Sequence, residues 1–182
     1  MKRGPVLGKA LLALAVAIAT AAPMARCASP RSQRAESLFR SAQTRLATGT
    51  IDERRLAITE LEEATALASD DPRYQLALAH AYFLAEKTNL AHGRFERAAA
   101  LVAGDPEPVI GLGDVAKRDW LSSLAPTSLE RAIASYTTAT KLDPRSAEAW
   151  AKLAPLLYEQ GEARDALAAA ERACAGEPRL PE

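Results

Sequence analysis

The side chains able to do acid–base, nucleophilic or metal chemistry are few, and they are scattered. The histidines are His80 and His92, and the cysteines are Cys27 and Cys174. A zinc site needs three or four convergent ligands. His80 and His92 fall on different helical stretches, and no H-E-x-x-H pattern joins them. The acidic pairs Glu62-Glu63 and Asp70-Asp71 sit on a helix face and at a helix end, where carboxylates are solvated charges. Cys27 and Cys174 are too far apart in sequence to form a disulfide framework. Cys174 lies in an alanine-rich helical run, so it is expected to be a buried structural thiol. No G-x-S-x-G, P-loop or dinucleotide-binding pattern occurs. These residues predict no enzyme, no metal and no cofactor, which moves attention from reacting groups to surfaces.

The chain has 182 residues, 48% hydrophobic and 25% charged, which suits one globular domain with a core. Basic and acidic residues both number 23, so no cationic surplus points to nucleic acid. The balance is uneven along the chain. Residues 1–27 carry Lys2, Arg3, Lys9 and Arg26 and no acid, leaving 19 basic and 23 acidic residues beyond them.

Lys2, Arg3 and Lys9 followed by the apolar run Ala10–Ala19 form the layout of a secretory leader. The uncharged stretch Ala10–Ala25 is short for a bilayer span. Two processing routes stay open. Ala19-Thr20-Ala21 offers a small-x-small cleavage site, and Cys27 is a candidate for lipidation, although Arg26 stands where a lipobox wants a small residue. Either route predicts an exported protein that is periplasmic, envelope-associated or secreted. A membrane is met only through an N-terminal lipid or an uncleaved anchor. Residues 28–33 are expected to be a linker.

The body repeats. Asp71-Pro72 recurs as Asp105-Pro106, 34 residues on. Ala57, Leu61 and Ala64 recur as Ala91, Phe95 and Ala98, and Leu78-Ala79 as Leu112-Gly113, at the same offset. Ala132, Tyr136, Ala139 and Pro144 recur as Ala166, Ala170, Ala173 and Pro178, again 34 on. Between the second and third units the second-helix offset is 41, so seven residues are inserted. Capping-box patterns at Thr50–Glu53 and Thr127–Glu130 predict second-helix starts. The helices predicted run near 33–47, 52–68, 72–86, 89–102, 106–123, 128–142, 146–159 and 162–175.

A 34-residue helix-pair period, with Trp150, Leu153, Ala154, Leu157, Gly161, Ala166, Ala170, Ala173 and Pro178 in the last unit, resembles the tetratricopeptide-repeat (TPR) family. The resemblance covers residues 34–180 in units of about 34–71, 72–105, 106–145 and 146–180. It implies an all-α, right-handed TPR solenoid with first helices on the concave wall. It also assigns structural positions: Leu78, Ala79, Ala91, Leu112, Gly113, Ala132, Trp150, Leu153, Ala154 and Ala166. Family spacing places Arg73, Leu76, His80 and Phe83 on the concave face of the second unit. Glu107, Ile110, Asp114, Lys117 and Arg118 take that place in the third, and Glu148, Ala151, Pro155, Tyr158 and Glu159 in the fourth. Phe39 and Gln43 are the first unit's candidates. Such a face implies a protein or peptide partner with apolar anchors and polar flanks. One TPR subclass clamps a chaperone C-terminal carboxylate with Lys and Asn, but Leu76 and His80 stand at those positions, so that role is not implied. The leader, the insertion at Arg118-Asp119-Trp120-Leu121 and Pro155 also resemble the N-terminal TPR region of bacterial proteins with a C-terminal GWxTD domain. No GWxTD segment occurs in this sequence.

Trp120, Leu121 and Leu124 lie in the insertion, either as an apolar knob for a partner or folded back onto the longer second helix. Pro155 removes a helix hydrogen bond and is expected to kink its helix. Gly176–Glu182 looks like the opening of a further unit, so this end is expected to continue in a longer chain or to dock onto another subunit. The expectation for function is a non-catalytic scaffold of the bacterial envelope. Two alternatives remain: the positioning domain of a larger enzyme, and an outer-membrane lipoprotein in assembly or transport.

Overall fold

The computed structural model describes residues 29–176. The leader, Cys27 and residues 177–182 with Pro178 lie outside the described residues, as do the expectations that fall on them. Eight helices follow in chain order: α1 (Pro30–Thr48), α2 (Ile51–Leu67), α3 (Pro72–Leu84), α4 (Thr88–Leu101), α5 (Pro106–Ser123), α6 (Pro126–Leu142), α7 (Ala147–Glu159) and α8 (Ala163–Gly176). Each odd-numbered helix pairs with the next, each pair packs on the following one, and first helices also touch across units, α1 on α3 and α3 on α5. That extra row of contacts puts the first helices on the inside of the curve.

Local chemistry sets the helix ends. Asp71 and Asp105 cap α3 and α5 by accepting from the Arg73 and Glu107 amides at 3.0 Å. Ser146 caps α7 through the Ala149 amide at 3.2 Å. These bonds satisfy amides that a helix start leaves without partners. Thr50 accepts from the Glu53 amide at 3.2 Å, as its capping pattern predicts. Gly161, in the α7–α8 turn, has φ +91°, a conformation that side chains resist.

Two boundaries differ from expectation. Residues 30–33 are not linker: Ser29 accepts from the Ser32 amide at 3.1 Å, and α1 starts at Pro30. α6 starts at Pro126 rather than beyond Thr127, and its N-cap Ala125 makes no side-chain bond. Proline fixes φ for the first helical position, so the helix begins before the Thr127 box can act.

Large and small residues alternate through the core. Leu61, Phe95 and Tyr136, at one register of α2, α4 and α6, are fully buried. Burying each is worth roughly 1.5–3 kcal/mol. Leu78, Ala79, Ala91, Ala132, Leu153 and Ala166 are buried, whereas Leu112, Trp150 and Ala154 pack partly buried against the core. A Cβ on Gly113 would stand 2.6 Å from the Tyr136 ring, so glycine lets the large ring seat against α5. The apolar residues form two clusters, one in α1–α4 with Val115 and one in α5–α8.

α7 runs unbroken through Pro155. The ring sits on an exposed face, so the missing amide deprives only the Ala151 carbonyl of its helical partner. Cys174 is exposed, against expectation. Its counterparts Thr65 and Thr140 are buried, as is Ile58, the counterpart of Leu167, which is 62% exposed. In the earlier units the next first helix lies over this face; among the described residues nothing lies over α8.

Candidate functional site

The inner wall is built from α1, α3, α5 and α7. Polar contacts lace each of these helices to the next. Glu36 of α1 accepts from the Tyr74 hydroxyl at 3.1 Å and pairs with Arg73 at 3.3 Å, while Arg73 also pairs with Asp71 at 2.8 Å. The Arg73 guanidinium lies 5.7 Å from the Phe39 ring and 5.3 Å from the Tyr74 ring. The hydrogen bond from Arg40 lowers the Glu36 pKa against the opposing effect of burial, and Tyr74 and Arg73 add to the lowering. Burial raises the Tyr74 pKa, helped by its bond to Glu36.

Between α3 and α5, the Arg118 guanidinium stacks 3.7 Å from the Phe83 ring centre and donates to the Phe83 carbonyl at 2.6 Å. His80 meets the Phe95 ring edge-on at 5.1 Å. Its Nε2 is enclosed without a hydrogen bond, 3.6 Å from the Glu107 carboxylate. Between α5 and α7, Lys152 donates to both Asp114 oxygens, at 2.9 and 2.7 Å, and pairs with Glu148 at 3.0 Å. The buried Tyr136 hydroxyl donates to Asp114 at 2.7 Å. Burial opposes the charge on Lys152, but hydrogen bonds to Asp114 and Glu148 prevail, so its pKa is raised. Burial and the Asp114 bond raise the Tyr136 pKa strongly.

The residues that family spacing puts on this wall therefore divide. Arg73, Asp114 and Arg118 join neighbouring units. Ile110, only 6% exposed, is a core residue packed in the second cluster and not a groove residue. Leu76 and Phe83 pack partly buried against the first cluster. Phe39 is buried at the α1–α3 step. Gln43, Glu107, Glu148, Ala151, Pro155, Tyr158 and Glu159 are exposed or half-exposed, and Lys117 is half-buried. The exposed part of the wall carries the charges Glu107, Glu148 and Glu159 with Ala151, Pro155 and Tyr158 among them, and Leu76 and Phe83 are part-exposed. In the insertion, Trp120 packs partly buried on the second cluster, while Leu121 and Leu124 are 59% and 71% exposed.

Glu36 and Lys152 were missed by the sequence reading, because each finds its partner 38 residues away. The pairing of His92 with Glu96, 3.4 Å apart, was also missed, although its i,i+4 spacing is a local signal. Among the described residues no three His, Cys, Asp or Glu side chains gather closely enough to hold a metal, and no helix is long and apolar enough to cross a membrane.

Residues 128–182 match a family model described as TPR repeat. Solved structures share the fold at low identity. A MamA crystal structure superposes with a TM-score of 0.67 at 19% identity, covering 78% of this chain and 77% of that one. TTC0263, a TPR protein of Thermus thermophilus, gives 0.68 at 20%, covering 79% and 74%. The first TPR of Spaghetti (RPAP3), bound to the HSP90 peptide SRMEEVD, gives 0.61 at 22%, covering 71% and 95%. No curated protein matches the sequence significantly.

Proposed function

Proceeding from a chain that carries tetratricopeptide repeats and folds as a TPR solenoid, we propose that it is a non-catalytic scaffold whose inner wall binds a peptide or protein segment. The observation that carries this reading is the inner face of the first helices, with Tyr158 exposed and Phe83 and Lys117 part-exposed, on a wall held by its own cross-unit contacts. Ordering a side chain on binding costs about 0.5–1.5 kcal/mol, so a wall already laced by hydrogen bonds loses little on engagement. A carboxylate clamp is not part of this proposal: Leu76 is packed against the core and His80 lies against Phe95.

The leader pattern of residues 1–27 supports an exported, envelope location as part of the same proposal. Mass spectrometry of the mature N-terminus tests it: a chain starting at Ala22 or an acylated Cys27 supports export, and an intact Met1 in the soluble fraction overturns it. For the wall, affinity capture from the envelope fraction should compare wild type with a Phe83→Ala, Tyr158→Ala double variant. Anchors of this kind cost more than about 1 kcal/mol each when truncated, so partner recovery should fall by about tenfold or more. Equal recovery of every partner by a folded double variant refutes the inner-wall assignment.

A further inference from the structure

The opposite edge of the solenoid holds a second surface. Ile51, Arg54, Arg55, Ile58, Thr59 and Glu62 recur on one face of α2. Opposite them stands the α3–α4 turn, Leu84–Lys87. Between the two lies a cleft of about 630 Å3. That volume falls in the range of sites that seat organic groups. Ile51 and Leu84, on its two walls, are 75% and 47% exposed. Singly, such residues need no explanation; facing each other across one cleft, with Ile58 between, they make an apolar seat.

The charges around this seat are unbalanced. Among the described residues, Arg54, Arg55 and Lys87 form no ion pair, and the Lys87 ammonium only approaches the Tyr82 ring, at 5.7 Å. Two acids also line the cleft, Glu62, which accepts from the Tyr82 hydroxyl and keeps its charge, and Glu86, so the bases outnumber the acids by one. The surplus is local, because beyond residue 27 acids outnumber bases 23 to 19. It also belongs to this step of the solenoid alone. At the register of Arg54-Arg55, the other second helices carry Thr88-Asn89, Leu129-Glu130 and Ala163-Arg164. One step along, the corresponding face of α4 meets the chain itself: His92, the counterpart of Ile58, lies 3.4 Å from Arg131, which is 4.0 Å from Asp119 near the end of the lengthened α5.

We infer that the cleft between α2 and the α3–α4 turn docks an acidic segment of another protein. One aliphatic or aromatic side chain enters between Ile51, Ile58 and Leu84, and flanking carboxylates pair with Arg54, Arg55 and Lys87. A single bound phosphate is disfavoured, since Glu62 and Glu86 line the cleft among the three cations and would repel an ion carrying no apolar anchor.

The probe is a fluorescein-labelled peptide with a central leucine and phenylalanine flanked by four aspartates on each side, titrated by anisotropy against the full chain. Wild type should bind it and lose affinity as salt rises from about 50 to about 300 mM. Arg54→Glu with Arg55→Glu should weaken binding by about tenfold or more, with Lys87→Glu acting in the same direction. Leu84→Ser, or serines replacing the peptide's apolar pair, should also weaken it. Tyr158→Ala alone, an inner-wall variant on α7 away from the cleft, should bind as wild type does, which separates this surface from the inner wall. Circular dichroism of each variant reports whether the fold is kept. Three results overturn the inference: no wild-type binding at millimolar peptide, undiminished binding to both folded charge reversals, or a loss that follows the inner-wall variant.

Discussion

Tyr136→Phe isolates a polar contact that runs from a fully buried ring to the inner wall. The ring fills the seat made by Gly113, and phenylalanine keeps that ring; only the hydroxyl that donates to Asp114 at 2.7 Å is lost. A hydrogen bond to a charged group is worth about 1.5–3 kcal/mol. Asp114 keeps both bonds from Lys152, so it is not left bare, and the low end applies, about 1.5 kcal/mol. For a chain of this size that lowers Tm by about 3–6 °C. Urea and thermal unfolding followed by circular dichroism measure it. A double-mutant cycle with Asp114→Ala should show coupling of about 1 kcal/mol, because the two changes remove one shared bond. A Tyr136→Phe protein within about 0.3 kcal/mol of wild type, or an additive cycle, would refute the claim that this contact ties α6 to the inner wall.

Gly113→Ala gains about 1 kcal/mol of helix propensity but drives a Cβ to 2.6 Å from a ring that cannot move aside, an overpacking cost of about 1–3 kcal/mol. The variant should be destabilised in chemical denaturation, and a more stable protein would show that the ring has room. Stability should also fall in alkali. The folded pKa of Tyr136 is raised by burial and Asp114, that of Tyr82 is pushed up to about 12 by burial and Glu62, and that of Lys152 is also raised. The folded chain thus holds protons that the unfolded chain releases near pH 10, so stabilisation present below that pH is lost as pH rises through the folded values. Melting between about pH 9 and pH 11 should show Tm falling, and less steeply in Tyr136→Phe; a flat profile contradicts the sign.

Much of the fold was legible because each signal was local or periodic. The 34-residue offset that carries Leu61 to Phe95 and Ala57 to Ala91 marks positions that prove fully buried, and Asp71-Pro72 and Asp105-Pro106 do start helices. The start of α6 was misread because two local signals, Pro126 and the Thr127 box, compete within a few residues. The wall was harder. A helix face wide enough to touch both a neighbour and solvent does not announce which side of it is covered, so Ile110 goes to the core and Tyr158 to the surface. The pairs Glu36–Tyr74 and Asp114–Lys152 depend on how adjacent units are set against each other. The Cys174 environment depends on whether a further helix lies over α8, which the sequence of α8 does not state. The α2 cleft left no trace at all in the repeat pattern, since it exists only where two units leave a gap.

The division of the apolar core has a mechanical consequence. Val115 and the part-buried Leu112 carry the first cluster onto α5, where Phe95 also packs against Gly111, while each half of the molecule has a cluster of its own. Cooperative units in a protein part where shared burial is least. A break at the α4–α5 step would therefore leave two double-hairpin blocks, each still holding a cluster of its own, whereas a break at either other step would cut through one.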